Sequence, residues 1–260
     1  MDDARLIELV DANQVAFARH LGASTPGGGV VERPDALLIA GDDPTPLIVN
    51  SVFPILGDAD PGTILSAAAT YFGRRGHGYC VWTRAHVDGP LEAALPLAGF
   101  RAVVDLPVMV LTERPEARPD PAGAEIRMVA TPADVEDFRV AVRDGFARFD
   151  AERAAVDSAF RDPASLLHPA VGASVAYVDG APVAAAMSFT ALGVARVAWV
   201  GTLPAFRRRG LGDAVTRAAV LAGFDRGATI SALESSPVGF GLYRSMGYRQ
   251  VTTYRIWLLE

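Results

Sequence analysis

The chain has 260 residues, half of them hydrophobic, and a formal net charge of −6. This length can bury a substantial core and fits one large domain or two small ones. All 24 basic residues are arginines, and no basic and aromatic stripe indicates a nucleic-acid-binding face. No apolar run is long enough for a membrane helix, and the start Met1-Asp2-Asp3 lacks the basic region of a signal peptide. We therefore expect a cytoplasmic protein without a membrane partner.

Cysteine and histidine give no sign of a metal or disulfide site. Cys80 is alone, so it cannot form an intramolecular disulfide, and its apolar neighbours predict a place in a strand core. The histidines show no metal-ligand spacing, and we expect no bound metal; they are His20, His77, His86 and His168.

The first part of the chain alternates between helix and strand patterns. Ser24 to Gly29 is glycine-rich and predicts a connector. The helices expected from apolar spacing are Ala4 to Leu21, Thr63 to Phe72 and Pro90 to Ala98. The expected strands are Ala36 to Ala40, Leu47 to Ile55, Tyr79 to Thr83 and Val103 to Leu111. Three prolines among charged residues at 113–123 predict a linker.

The second part also predicts alternating helices and strands. The expected helices are Thr131 to Phe149, Asp150 to Phe160, Leu211 to Ala222 and Gly239 to Met246. The expected strands are Ala173 to Val178, Pro182 to Thr190, Ala195 to Leu203, Ala228 to Glu234 and one from Tyr248 onward. Asp179-Gly180 predicts the hairpin turn between the first two of these strands.

A strand, a glycine-rich turn and a helix start meet between Val200 and Asp213. Pro204 stops the strand, and the turn then reads Arg207-Arg208-Arg209-Gly210-Leu211-Gly212. Glycines let a ligand approach the backbone, and the first N–H groups of a helix attract an anion. The spacing fits neither the Gly-x-Gly-x-x-Gly dinucleotide motif nor a P-loop. The sequence therefore predicts a site for a different phosphate-bearing ligand.

Two motifs carry a resemblance to a known family. Arg207-x-x-Gly210-x-Gly212 resembles the acetyl-CoA loop of the GNAT family of N-acetyltransferases, Arg/Gln-x-x-Gly-x-Gly/Ala. Further on, the string Ser236-x-x-Gly239-x-x-Leu242-Tyr243-x-x-x-Gly247-Tyr248 resembles the second signature of the same family. Their order and separation also agree, and the resemblance covers Ala124 to Glu260, about half of the chain.

The resemblance implies an α/β GNAT fold and direct transfer of an acetyl group from acetyl-CoA to an amine. Tyr243 would protonate the leaving thiolate, because a phenol pKa near 10 lies close to a thiol pKa of about 8.5; its alternative role is core packing. Glu234 would be the general base, with a water chain as the alternative. The expected cofactor-binding residues are Gly201, Thr202, Leu203, Arg207, Arg208, Arg209, Gly210, Leu211, Gly212, Asp213 and Ser236. Ser236 has a simpler alternative role as a helix cap.

The first part of the chain looks like a degenerate copy of the second. Leu97-Ala98-Gly99-Phe100-Arg101 parallels Ser245-Met246-Gly247-Tyr248-Arg249, and the same offset aligns Gly62 with Gly210. Asp60 and Pro61 then stand where the second part has arginines, and Leu95 stands in place of Tyr243. A carboxylate repels a pyrophosphate and proline has no N–H, so we expect no acetyl-CoA site there.

These patterns predict three segments and one reaction. A degenerate GNAT-like half spans 1–112, a proline-rich linker 113–123 and a catalytic GNAT half 124–260. The expected acceptor is a primary amine on a small molecule. A protein amino group and a non-catalytic CoA-binding protein are the alternatives. The early helices of the second half, with Arg143, Asp144, Arg148, Asp150, Glu152 and Arg153, would cover the acceptor site but do not identify the acceptor.

Overall fold

The fold is a single mixed β-sheet with helices on both faces. The computed structural model describes residues 1–46, 49–146 and 150–259. Within these residues, eleven strands form the sheet and seven α-helices pack against it. This is the α/β architecture that the sequence predicts. None of the described helices is long and apolar enough to cross a bilayer.

The strands are β1 (Gly29–Glu32), β2 (Ala36–Ala40), β3 (Ser51–Pro54), β4 (Cys80–Arg84), β5 (Phe100–Leu111), β6 (Glu125–Met128), β7 (Val171–Val178), β8 (Ala181–Ala191), β9 (Val194–Thr202), β10 (Ile230–Glu234) and β11 (Arg249–Leu259). The α-helices are α1 (Asp3–Ser24), α2 (Pro61–Arg75), α3 (Gly89–Ala94), α4 (Pro132–Phe146), α5 (Asp150–Ala159), α6 (Leu211–Asp225) and α7 (Phe240–Ser245). Short 3₁₀ turns occur at Pro96–Ala98, Pro163–Ser165 and Pro204–Phe206.

Most expected elements are present, and the differences have local causes. The strand expected at 47–55 is shorter, Ser51–Pro54, because Val49 and Asn50 form a turn; residues 47 and 48 lie outside the described part. The helix expected at Thr131 to Phe149 begins one residue later, and its last three residues lie outside the described part as well. The helix expected at Pro90 to Ala98 divides at Pro96, since proline cannot donate the hydrogen bond that continues a helix.

The last strands of the two halves are exchanged within the sheet. The strand order is β1-β2-β3-β4-β11-β5-β10-β9-β8-β7-β6. Strand β5 of the first half lies between β10 and β11, and β11 of the second half lies between β4 and β5. All three of these contacts are antiparallel. The halves therefore share one backbone hydrogen-bond network, and the division of the chain into two domains stays a prediction.

The two faces of the sheet carry different helices. Strand β2 shows this, because Leu37 and Ile39 join a core with α1, α4 and α5, whereas Leu38 packs against α2. In the second half, α6 and α7 cover the same face as α2. Helix α1 reaches the second half and packs on β9 and β10. We call the side with α1, α4 and α5 the α1 face, and the opposite side the α6 face.

The predicted linker follows the surface of α6. The Arg114 guanidinium lies 2.7 Å from the Asp225 carboxylate. Closer to the start of α6, Arg217 Nη1 donates to the Glu116 carbonyl at 3.3 Å. The linker is therefore extended along one helix and attached by polar contacts at the surface.

Candidate functional site

A cleft opens where two parallel neighbours, β9 and β10, diverge. Their pairing ends at Val197 and Leu233. Beyond that point β9 remains paired only with β8, up to Thr202, while Glu234 of β10 pairs with β5. We call the gap between residues 198–202 and the end of β10 the cleft. Such a divergence leaves the facing backbone groups of the two strands unpaired with each other, so they can bind a ligand instead.

A β-bulge marks the cleft side of β9. Trp199 has a φ of +56°, a conformation that is unfavourable for a bulky residue and costs about 1–3 kcal/mol. The register with β8 shifts at the same place. The indole packs edge-on against Phe160, which directly follows α5, with ring centroids 4.9 Å apart. Strain of this kind commonly occurs at functional sites, and here the surrounding aromatic core holds it in place.

The glycine-rich turn brings the start of α6 to the end of the cleft. Gly210 precedes the helix with a φ of +80° and provides no side-chain cap. The first amides of a helix have no intrahelical partner, so they can bind an anion. A β-carbon at Gly212 would lie 3.6 Å from Thr202 Oγ1 and 3.4 Å from Leu242 Cδ2. The predicted anion site is therefore adjacent to the end of β9.

The three arginines of the turn have different roles. Arg207 donates to the carbonyl oxygens of Thr202 at 3.1 Å and Gly145 at 3.2 Å, and so links α4 to β9. Arg208 and Arg209 are exposed, and neither forms an ion pair within 1–46, 49–146 and 150–259. Their charges remain available to an anionic ligand.

Two further predicted residues in this helix start are used by the protein itself. The Asp213 carboxylate is paired with Arg217 at 2.9 Å, which compensates a negative charge next to the anion site. The Leu211 side chain is buried, so only its backbone can meet a ligand. The start of α6 thus presents backbone amides and positive charge together.

Helix α4 approaches the cleft closely through a glycine. A β-carbon at Gly145 would lie 2.6 Å from the Thr202 amide nitrogen, which is too close for any side chain. In the cleft wall, the Leu203 amide already donates to the Val183 carbonyl at 2.9 Å. Gly201, two residues earlier in the same register, also turns its amide towards β8, because alternate residues of an antiparallel ladder donate to the same neighbour. Thr202 is therefore the better candidate for binding a carbonyl oxygen through a backbone amide.

Glu234 lies on the α1 face in a buried ion pair. It follows Leu233, whose side chain is on the α6 face. Its carboxylate accepts a hydrogen bond from Arg196 Nη2, and the exposed fractions of the two side chains are 13% and 0%. Burial raises the pKa of Glu234, and the Arg196 charge opposes that rise. Among the described residues, no side chain donates a hydrogen bond to its second carboxylate oxygen.

The arginine is held by the first half of the chain. Arg196 Nη1 lies 3.4 Å from the Asn13 side-chain oxygen, and Asn13 Nδ2 donates to the carbonyls of Ala191 and Val194 at 3.0 and 3.2 Å. Arg196 Nε has no partner in the described part of the chain. Helix α1 therefore supports the Glu234 site from the α1 face.

Tyr243 occupies the opposite side, on α7. It is buried with Val197, Leu233 and Tyr248 on the α6 face. Burial raises its pKa, so the phenol keeps its proton at neutral pH. No described residue hydrogen-bonds to its hydroxyl. Glu234 and Tyr243 thus lie near the end of β10 on opposite faces of the sheet.

The Ser236 hydroxyl accepts from the Gly239 amide at 3.2 Å, in the turn that precedes α7. A cofactor contact of Ser236 stays a prediction.

The corresponding gap in the first half is filled. Strands β3 and β4 pair in parallel only at Ser51–Cys80 and Val52–Val81. Beyond this point Phe53 stacks on Trp82, with ring centroids 5.5 Å apart, and Arg84 Nη1 donates across the gap to the Ile55 carbonyl at 3.3 Å. A cavity of only about 20 Å³ remains.

The helix start next to this filled gap is also unsuited to an anion. The Asp60 carboxylate accepts from the Thr63 amide at 2.8 Å, so a negative group caps α2 where Gly210 precedes α6. Cys80 is buried nearby, and burial raises the pKa of its thiol to about 11. Both observations support the expectation that the first half has no acetyl-CoA site and no reactive thiol.

Sequence reasoning missed Arg196, Asn13 and the bulge at Trp199. For Arg196 the sequence contains a signal, because an arginine inside the apolar run of β9 needs a buried partner. Nothing local indicates that its second contact comes from α1.

The described residues contain no cluster of three or more His, Cys, Asp or Glu side chains that could hold a metal ion.

Comparison with known families gives a match within the second half. Residues 136–248 match the model of the acetyltransferase (GNAT) family. The chain carries a GNAT domain. No protein with curated function matches the sequence significantly.

Solved structures of GNAT proteins are similar in fold to nearly the whole chain. A GCN5-related N-acetyltransferase from Kribbella flavida is 24% identical, with a TM-score of 0.71 over 94% of both chains. One from Sphaerobacter thermophilus is 20% identical, with a TM-score of 0.58 over 88% of this chain and 82% of that one. A tandem GNAT protein from the clavulanic acid biosynthesis pathway is 14% identical, with a TM-score of 0.61 over 90% and 83%. At these identities the likeness shows the fold alone.

Proposed function

We propose that the protein is an acetyl-CoA-dependent N-acetyltransferase that moves an acetyl group directly to a primary amine on a small molecule. The observation that carries the proposal is the divergence of β9 from β10 after Val197 and Leu233, with the uncapped start of α6 at its end. The equivalent gap in the first half is filled by Phe53 and Trp82. We therefore infer one active site per chain, in the GNAT domain.

The residues at the cleft fit acetyl-CoA, which would supply the acetyl thioester. The amides from Arg209 to Asp213 would bind the pyrophosphate, with the Arg208 and Arg209 side chains adding positive charge. Glycine at 210 and 212 keeps this surface free of side chains. The Thr202 amide would bind the acetyl carbonyl oxygen at the cleft.

Proton transfer would be divided between the two faces of the sheet. Glu234 would take a proton from the amine on the α1 face, directly or through water. A base whose pKa is raised by burial is better matched to an amine than an ordinary carboxylate. Tyr243 would return a proton to the sulfur on the α6 face, because its phenol remains neutral.

Two other functions remain as alternatives. The first is acetylation of a protein amino group, which requires a cleft that admits an extended polypeptide. The second is binding of CoA without catalysis, which would follow if the proton transfers did not occur. The buried Glu234 and the unpartnered Tyr243 hydroxyl favour an enzyme, because neither group is needed to bind CoA.

The test is acetyl-CoA turnover with a panel of small amines and lysine-containing peptides, measured by CoA release and product mass. The chain contains no lysine, so acetylation of its own lysine side chains cannot add to the signal. Turnover with small amines supports the proposal, and turnover with peptides alone favours the protein acceptor. Saturable CoA binding without any turnover would indicate the binding protein, and absence of CoA binding would overturn all three functions.

A further inference from the structure

A polar groove lies on the first half, away from the cleft. It is formed by one flank of α2 above the edge strand β1, and its volume is about 750 Å³. Val31 and Leu38 form its floor, and Ser66 and Thr70 line its wall. No part of the proposed acetyl transfer uses these residues.

The groove exists because the first half has one outer strand fewer than the second. In the second half, β6 continues the sheet beyond β7, and its Ile126 packs into the core beneath α6. In the first half the sheet ends at β1, which pairs only with β2. The flank of α2 that faces outward therefore stays uncovered, and its polar side chains reach solvent.

Two polar groups converge at one end of the groove without binding each other. A β-carbon at Gly29 would lie 2.5 Å from Arg75 Nη2 and 2.6 Å from the Tyr71 hydroxyl oxygen. The Arg75 guanidinium also lies over the Tyr71 ring, 4.6 Å from its centroid. The Tyr71 hydroxyl is buried and has no hydrogen-bond partner among the described residues. A buried hydroxyl without a partner is costly, and a ligand that draws the Arg75 guanidinium away from the ring would reach this hydroxyl and remove that cost.

The charges at this end favour an anion. Arg74 and Arg75 both line the groove, and neither forms an ion pair within the described ranges. Arg33 is already paired with Asp35 at 2.9 Å. The Asp60 carboxylate lines the opposite end, at the start of α2, and is bound to Thr63. The uncompensated positive charge is therefore concentrated at Arg74 and Arg75.

We propose that this groove binds a small molecule that carries a carboxylate or phosphate group, with the anionic oxygens held by Arg74, Arg75 and the Tyr71 hydroxyl. Guanidinium groups and a phenol O–H are all donors, and together they satisfy an anion. The rest of the ligand lies along Ser66 and Thr70. The site is independent of the proposed acetyl transfer.

The test is calorimetric titration of the full chain with two probes, inorganic phosphate and succinate, which separate the two anion types. Three variants address the site. Arg75→Gln removes the charge, Tyr71→Phe removes only the unpartnered hydroxyl, and Gly29→Ala places a methyl group where the two donors converge. Arg5→Gln, an exposed arginine on α1, is the matched control. Arg208→Gln reports any binding of the same probe at the start of α6.

We expect at least one probe to bind the wild type saturably. The dissociation constant should rise about tenfold in Arg75→Gln and severalfold in Tyr71→Phe, as expected for loss of donors to a charged group. Gly29→Ala should abolish binding, and Arg5→Gln should not change it. Tyr71→Phe should unfold no earlier than the wild type, because it removes a hydroxyl without a partner. Failure of both probes to bind would overturn the site, and so would affinity lowered only by Arg208→Gln. Acetyl-CoA turnover is measured separately, so neither result depends on the proposed reaction.

Discussion

Two tyrosines of the GNAT domain pack edge to face, and only one of their hydroxyls has a hydrogen-bond partner among the described residues. The rings of Tyr243 and Tyr248 are 6.0 Å apart. The Tyr248 hydroxyl lies 2.6 Å from the Ser231 hydroxyl, whereas the Tyr243 hydroxyl has no partner in the described residues. The pair therefore allows a comparison between a phenol that forms a structural hydrogen bond and a phenol that is proposed to transfer a proton.

Replacing Tyr243 by Phe should lower kcat at least tenfold and leave KM for acetyl-CoA nearly unchanged. General acid catalysis typically raises the rate by about 10²–10⁴-fold, so its loss should lower kcat. KM should change little, because cofactor binding depends on the start of α6. Tyr248→Phe is the matched control, which should lower the thermal midpoint because it breaks a buried hydrogen bond, and should keep kcat. The measurement is steady-state kinetics with calorimetry on both variants. Equal kcat in wild type and Tyr243→Phe, with chemistry rate-limiting, would assign Tyr243 to packing alone.

Glu234 should give the reaction its dependence on pH. Only the ionised carboxylate can accept a proton, and burial raises its pKa, so kcat/KM should rise with pH through a range above that of an ordinary carboxylate. Arg196→Met removes the charge that favours ionisation, so the rise should move to still higher pH. The variant should also lose stability, by at most about 3–5 kcal/mol.

The pH profile separates a base from a purely structural ion pair. In Glu234→Gln the rise assigned to the carboxylate should disappear, and kcat/KM should fall. If Arg196→Met unfolds earlier but its profile keeps the wild-type position, the ion pair is structural and water is the base. The pH profile is measured with an amine whose ionisation state is constant over the pH range, or it is corrected for the pKa of the amine.

At the scale of one element, the start of α6 should control cofactor affinity without controlling the fold. Gly212→Asp places a negative charge among the first amides of the helix, where a β-carbon has ordinary contacts. The charge favours the helix itself but repels a pyrophosphate. We expect the dissociation constant of acetyl-CoA to rise at least tenfold, with the thermal midpoint retained.

Gly212→Asn is the matched control, since it has the same shape without the charge, and it should bind several times better than Gly212→Asp. Calorimetry on the wild type should give one acetyl-CoA per chain. A stoichiometry of two would contradict the absence of a site in the first half.

The elements themselves were largely predictable, because apolar spacing and turn residues are local signals. The Pro204 stop, the glycine turn and the helix from Leu211 follow directly from the sequence. Two strands were missed, β1 and β6, since runs of four residues such as Gly29–Glu32 are too short to show a period. The connector expected at Ser24 to Gly29 is also shorter, because α1 continues to Ser24 and β1 begins at Gly29.

The site was predictable only in part. The anion-binding turn has a sequence signature because its chemistry lies in consecutive residues. The support of Glu234 comes from β9 and from α1. Asn13 and Arg196 are 183 positions apart in the sequence, and no local pattern predicts such a contact. The register shift that places Trp199 in a bulge depends equally on the pairing with β8.

At the scale of the whole molecule, the exchanged strands should keep the halves together after the linker is cut. A protease site inserted between Arg118 and Asp120 lies in the exposed linker and outside every strand. After cleavage we expect both fragments to co-elute in gel filtration with turnover retained, because β5 and β11 still pair along their length. The matched comparison is a fragment of residues 122–260 produced alone. It lacks β5, so we expect it to be insoluble or inactive, and full activity of that fragment would contradict the shared sheet.

The position of β11 has a consequence for synthesis on the ribosome. Strand β4 needs β11 as its neighbour, and among the described strands β11 is the last to be made. When the first half has left the exit tunnel, β4 and β5 therefore still lack the strand that lies between them, and they present open edges capable of wrong pairing. Closure of such distant contacts is slow. Nascent chains stopped before Arg249 should consequently remain protease-sensitive in both halves, and chaperone capture should end only when the final strand is inserted.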